Sequence, residues 1–113
     1  MKKHILRMRQ VDKFVFDSIR NGEKTIETRA ATDRYRKIKQ GDILVFTCGD
    51  EKLEKEIEKV DYYKSIDEMV KAIDFKKIMP FVSSLKEMEE IYYSFSNYKD
   101  KIDKFGLVVF KLR

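Results

Sequence analysis

Lys24, Glu27 and Arg29 are the residues of this chain best suited to chemistry. They lie in Gly22-Glu23-Lys24-Thr25-Ile26-Glu27-Thr28-Arg29, directly after Asn21-Gly22, a pair that ends helices. Residues 24–30 read as a strand. Two-residue periodicity puts Thr25, Glu27 and Arg29 on one face and Lys24, Ile26 and Thr28 on the other. Arg29 brings a planar fork that fits a phosphate, a carboxylate or a base edge. Glu27, on the same face, can pair with it or act with it on one ligand. Lys24 at the strand's start can hold an anion. With its pKa lowered by partial desolvation it can serve as a base. Three charges are wasteful on a strand that only packs, and useful on one that lines an open cleft. The alternative is an exposed ion-pair network, worth little per pair.

Arg34-Tyr35-Arg36-Lys37-Ile38-Lys39 follows closely. Cations around a tyrosine make a loop that can track phosphates and offer one stacking platform at Tyr35; the alternative is a solvated basic loop. Other chemistries lack their parts. His4 is the single histidine and Cys48 the single cysteine, with no ligand spacing between them. One histidine near the N-terminus builds no nucleophile–histidine pair with a third partner; it reads as a strand-end surface residue. The four glycines are scattered as turn formers, with no phosphate loop. No metal and no cofactor is expected. The tyrosines at 62, 63, 92, 93 and 98 read as core and rim residues.

The elements that must position these groups can be read in outline. Residues 4–9 form a strand. Asp12 caps a helix whose buried stripe is Phe14, Val15 and Ile19. Ile43 to Cys48 is a buried apolar strand between the Gly41-Asp42 and Gly49-Asp50 turns. Residues 52–63 are ambiguous: Leu53, Ile57 and Val60 fit helical spacing better than alternation. Ser65 with Glu68, and Ser84 with Glu87, are capping boxes that open two further helices. The second carries Leu85, Met88, Ile91, Tyr92 and Phe95. Lys101 to Lys104 reads as a charged connection, and Leu107 to Leu112 as a closing strand. This order predicts an α+β fold, a small mixed barrel or curled sheet decorated by helices.

The chain's 113 residues suit one domain, 1–113, with one modest core. Charged residues reach 40%, well above the usual quarter. They are unevenly spread: residues 1–40 hold 12 lysines and arginines against 5 acids, whereas the remainder holds 13 against 15. A basic half favours phosphate-bearing partners through steering and counterion release. Cys48 in an apolar run reads as a small buried hydrophobe in a reducing compartment. No apolar run approaches the ~20 residues that cross a bilayer, and no signal-type segment opens the chain. The expectation is a cytoplasmic protein that does not engage a membrane.

The run Ile19-x-x-Gly22-x-Lys24-Thr25-Ile26-Glu27-x-Arg29, followed by Gly41-Asp42 and an apolar strand, resembles the ASCH domain family of the PUA-like superfamily. Tyr63-x-Ser65-Ile66, Ile78-x-Pro80, a tyrosine-rich helix and Phe105-Gly106-Leu107-Val108-Val109-Phe110 extend the resemblance over nearly the whole chain. It implies a PUA-like barrel of about five to six strands with three helices, and makes residues 52–63 largely strand. It also implies a cleft beside the Lys24–Glu27–Arg29 strand that binds RNA or a nucleotide, with Arg34, Tyr35 and Arg36 as further ligand-binding candidates. One branch of the family hydrolyses the acetyl amide of N4-acetylcytidine with a lysine, a threonine and a glutamate. Lys24 matches the lysine. Glu27 stands at the threonine's position, and Met79-Pro80-Phe81-Val82-Ser83 has no acid where the glutamate is expected. In an enzyme of that kind Lys24 and Glu27 would be the catalytic pair, acting on acylated nucleosides.

Overall fold

The computed structural model describes residues 1–113, and its framework is a five-stranded mixed sheet curled into a half-barrel. The strands are β1 (Lys3–Met8), β2 (Ile26–Ala30), β3 (Ile43–Cys48), β4 (Glu51–Tyr63) and β5 (Leu107–Leu112). Their order across the sheet is β1-β3-β4-β5-β2. Only the β1–β3 pair is parallel. The sheet is decorated by α1 (Lys13–Arg20), α2 (Asp33–Arg36), α3 (Ile66–Ala72), α4 (Phe75–Ile78), α5 (Leu85–Ser94) and α6 (Tyr98–Phe105). The small mixed barrel expected from the element order is therefore present. The three anticipated helices are α1, α3 and α5. The chain adds α6 where a charged connection is expected, and one helical turn each at α2 and α4.

Residues 52–63 are strand, as barrel closure requires. β4 pairs with β3 through its first half and with β5 through its second, with a register shift between Ile57 and Lys59. Such a bulge bends a strand and adds one residue to its count. Leu53, Ile57 and Val60 all turn inward in consequence. Their i, i+4, i+7 spacing imitates a helix because a bulge sits between two stretches of ordinary alternation.

β5 lies between β4 and β2 and is buried on both faces, which is why its sequence is almost continuously apolar. Val108, Phe110 and Leu112 turn to the inner core with Leu6, Phe16, Ile19, Leu44, Phe46 and Cys48. Leu107 and Val109 turn outward, with Ile26 and Ala30 of β2, onto Met69, Ile78, Met88, Tyr92 and Ile102 of the helices. Both capping boxes form: Ser65 Oγ accepts from the Glu68 amide and Ser84 Oγ from the Glu87 amide. The return bonds reach one residue further back than the motif prescribes, from the Lys64 amide to Glu68 and from the Ser83 amide to Glu87.

Two local expectations are corrected. Asp12 precedes α1 without capping it, because its carboxylate pairs with Arg9 at 2.9 Å. The buried stripe of α1 is Phe16, Ser18 and Ile19, whereas Phe14 is 53% exposed. His4 is half-buried and bonded at 2.9 Å to Asp42, which also accepts from the Lys2 and Lys39 amides. Those three bonds, His4's first, pull the Asp42 carboxyl down to about 2. No helix is long and apolar enough to cross a membrane.

A candidate nucleotide-binding cleft

β1 and β2 are the two edges of the sheet and do not pair with each other. A cleft of about 920 Å³ lies across this seam. Its floor is β2, and its walls come from the end of β1, the start of α1, the segment around Phe81, α5 and α6. The volume is near the top of the roughly 300–1,000 Å³ usual for small-ligand pockets. Lys24, Glu27, Arg29, Arg34 and Tyr35 all line it.

Register fixes where the charges point. Glu27 lies opposite Phe110 and Arg29 opposite Val108, and facing residues of an antiparallel pair share a side. A carboxylate and a guanidinium therefore occupy the inner, core-facing side of the curled sheet. Glu27 is only 4% exposed. Its Oε1 accepts from the Thr28 amide at 2.9 Å and from Arg29 Nη1 at 2.9 Å, with Lys24 Nζ at 3.8 Å. No fully buried side-chain nitrogen or oxygen lacks a partner. Oε2 makes no hydrogen bond, so it opens on the cleft. Arg29 uses Nη1 for Glu27 and the Thr28 carbonyl. Its Nε and Nη2 hydrogens face the cleft in the same way.

Lys24 precedes β2 rather than lying in it, so strict alternation does not govern its side chain. The ammonium donates to the Ile26 carbonyl at 2.8 Å and to the Ile78 carbonyl, at the C-terminus of α4, at 2.5 Å. Its third position faces Glu27. The Thr25 amide bonds the Lys77 carbonyl at 3.1 Å and holds the start of β2 against α4. The charged heads of the three residues expected to act together thus meet at Glu27, on the floor of the cleft.

Burial and charge oppose one another here. Burial pushes the Lys24 pKa down, and the Glu27 carboxylate only partly restores it. Burial would raise the Glu27 carboxyl, but the cations Arg29 and Lys24 and the Thr28 amide outweigh it and hold it below its ordinary value. Burial works against the charge of Arg29 as well, and Glu27 with Tyr35 and Tyr98 more than compensates. Glu27 and Arg29 are therefore held in their charged forms while burial works against the Lys24 ammonium, and one acceptor and several donors are left unspent.

The rim completes the arrangement. The guanidinium carbons of Arg34 and Arg29 lie 5.0 and 5.8 Å from the centre of the Tyr35 ring. Arg7, Arg34 and Lys101 line the cleft and make no ion pair. Arg36 is placed differently. Its side chain donates to the Ala31 and Phe105 carbonyls, lies over Tyr62, and is not part of the lining. Sequence reasoning missed the supports of β2: Tyr92 bonds the Thr28 hydroxyl, and Tyr98 accepts from the Ala30 amide at 3.0 Å. It also missed Phe14 and Phe81, whose rings meet edge to face with centres 5.0 Å apart at the cleft. Tyrosines at helical spacing look like core, which Tyr92 is. No pattern in the sequence brings residue 81 to residue 14.

The ASCH domain family matches residues 10–113, and the chain belongs to it. Its half-barrel is the PUA-like fold. The crystal structure of hypothetical protein PH0355 superposes with a TM-score of 0.82 at 27% identity, covering 100% of this chain and 98% of that one. The solution structure of protein PF0455 from Pyrococcus furiosus gives a TM-score of 0.75 at 26% identity, covering 97% and 96% of the two chains. No curated protein matches the chain.

Proposed function

We propose that this ASCH-domain protein binds a ribonucleotide unit, free or within single-stranded RNA, in the cleft across the β1–β2 seam. The observation that carries the reading is Glu27. A carboxylate on the inner face of a small barrel is costly, and replacing such a group by an apolar one is often neutral or stabilising. It is worth keeping where it recognises something. Oε2 of Glu27 and the free hydrogens of Arg29 offer an acceptor beside donors, the complement of a base edge. Arg34 and Tyr35 supply a phosphate contact and a stacking face, and Arg7 and Lys101 add positive charge at the rim. The ASCH family is generally thought to bind RNA, and the basic first 40 residues fit such a partner.

Binding of short oligoribonucleotides, followed by fluorescence anisotropy at two salt concentrations, tests this. Every phosphate that the protein neutralises releases counterions and steepens the salt dependence, so affinity should fall at least tenfold between about 50 and 200 mM salt. Arg29→Ala and Arg34→Ala should each weaken it further. Affinity indifferent to salt and to both substitutions overturns the reading.

A second reading, hydrolysis of an acylated cytidine-like nucleoside, has one observation in its favour. Lys24 is buried, its pKa is lowered, and its nitrogen lies 3.8 Å from Glu27. An amine that has passed one proton to Glu27 still fills both carbonyls and keeps a lone pair. Water would give that lone pair a proton while its oxygen attacked the acyl carbon. The proton on Glu27 would go to the departing amine, which restores the ion pair. Release of free acid from a panel of acylated nucleosides, abolished by Lys24→Met, is the expected result. No turnover above buffer removes this reading and leaves the first untouched.

A further inference from the structure

Aromatic side chains line the cleft in several places, Phe95 against Tyr98 among them, and two of these places, Tyr35 and the Phe14–Phe81 pair, stand at opposite ends of its floor. Tyr35 accompanies Arg29, at the far end of β2. Phe14 and Phe81 belong to the near end, because Phe81 follows by three residues the Ile78 carbonyl that holds Lys24. Extended chain rises about 3.3 Å per residue, so from Lys24 to Arg29 the floor is on the order of 15 Å long. That is longer than one nucleobase. Phe14 is 53% exposed and Phe81 36%, though each had an apolar core within reach of its own element. An edge-to-face pair leaves ring faces uncovered. Two phenylalanines from segments 67 positions apart, meeting in the open at the mouth of a basic cleft, are not the scattered exposed apolar residues that need no explanation. Cations share the lining: Arg34 lies over the Tyr35 ring, and Arg7 at the end of β1 and Lys101 of α6 add to it.

We infer that the ligand is a single strand of RNA at least two nucleotides long, with one base at Tyr35 above the Glu27–Arg29 pair and a second stacked on the Phe14–Phe81 pair. The inference rests on the proposed nucleotide-binding reading. It separates a strand from a free nucleotide, because a mononucleotide can fill only one platform. Aromatic platforms joined by a cationic track are how sequence-tolerant single-strand binders work.

Affinities of the intact protein for 5′-labelled oligoribonucleotides of one to six residues, in each of the four homopolymer series, test it. Affinity should rise at least tenfold between one residue and three, then level off. Phe14→Ala and Phe81→Ala should each weaken hexamer binding about fivefold or more while leaving mononucleotide affinity within twofold. Neither side chain belongs to a core cluster, so the variants should unfold close to the parent's urea midpoint. Equal affinity for one residue and six, or phenylalanine variants that bind the hexamer like the parent, overturns the inference while the nucleotide reading stands. Absence of binding at every length overturns both.

Discussion

Glu27 faces Phe110 across the β2–β5 pair, on the side of the sheet that builds the inner core. An aliphatic residue would be the ordinary occupant. Its retention is sustained by Lys24, Arg29 and the Thr28 amide, so the group is coupled rather than locally stable. Removing its charge leaves two cations without a counterion, one of them almost fully buried. Glu27→Gln should therefore cost about 3 kcal/mol or more in urea unfolding; a surface ion pair would cost under about 1 kcal/mol. Asp42 gives a second residue-level expectation. Its folded pKa, about 2, lies below the unfolded value of roughly 3.9. The stability it contributes is complete above the unfolded value and is lost as pH falls through the folded one. Glu27, also depressed, acts in the same direction. Unfolding free energy should decline between about pH 4 and 2, and Asp42→Asn should flatten part of that slope.

Elements differ in how openly the sequence declares them. β3, β5 and the two capping serines are local: an apolar run between turns, or a serine three residues before a glutamate, already carries its cause. β4 hides because its bulge shifts the inward positions by one. α6 hides because a helix lying on the surface needs little apolar sequence; among its eight residues only Ile102 is buried. α1 presents the wrong phenylalanine, since Phe16 fills the half-barrel while Phe14 turns to the cleft. The junction between α6 and β5 is a further element-level feature. Gly106 sits at φ +76°, and a Cβ there would come within 2.6 Å of the Tyr63 carbonyl. Neither the backbone nor the neighbour can give. Gly106→Ala should cost more than about 2 kcal/mol and lower the melting temperature accordingly, by calorimetry.

At the scale of the whole molecule, one architectural fact organises the rest: the half-barrel closes neither edge of its seam with the other, and a cleft occupies that seam. The charged strand was legible from Lys24, Glu27 and Arg29 alone, because charges at that spacing have little use in packing. What lay across from it was not. The Ile78 carbonyl, the Tyr92 hydroxyl and the Phe14–Phe81 pair reach the cleft only through tertiary folding. Arg36 shows the reverse limit: a basic residue in a basic loop, its guanidinium bonded to backbone carbonyls. The most direct measurement is a heteronuclear NMR titration of the labelled protein with short single-stranded RNA. Shift changes should concentrate on Lys24 to Ala30, Tyr35, Phe14 and Phe81. Changes confined to the outer faces of β4 and the 36–40 segment, with the β2 amides unmoved, would contradict the account.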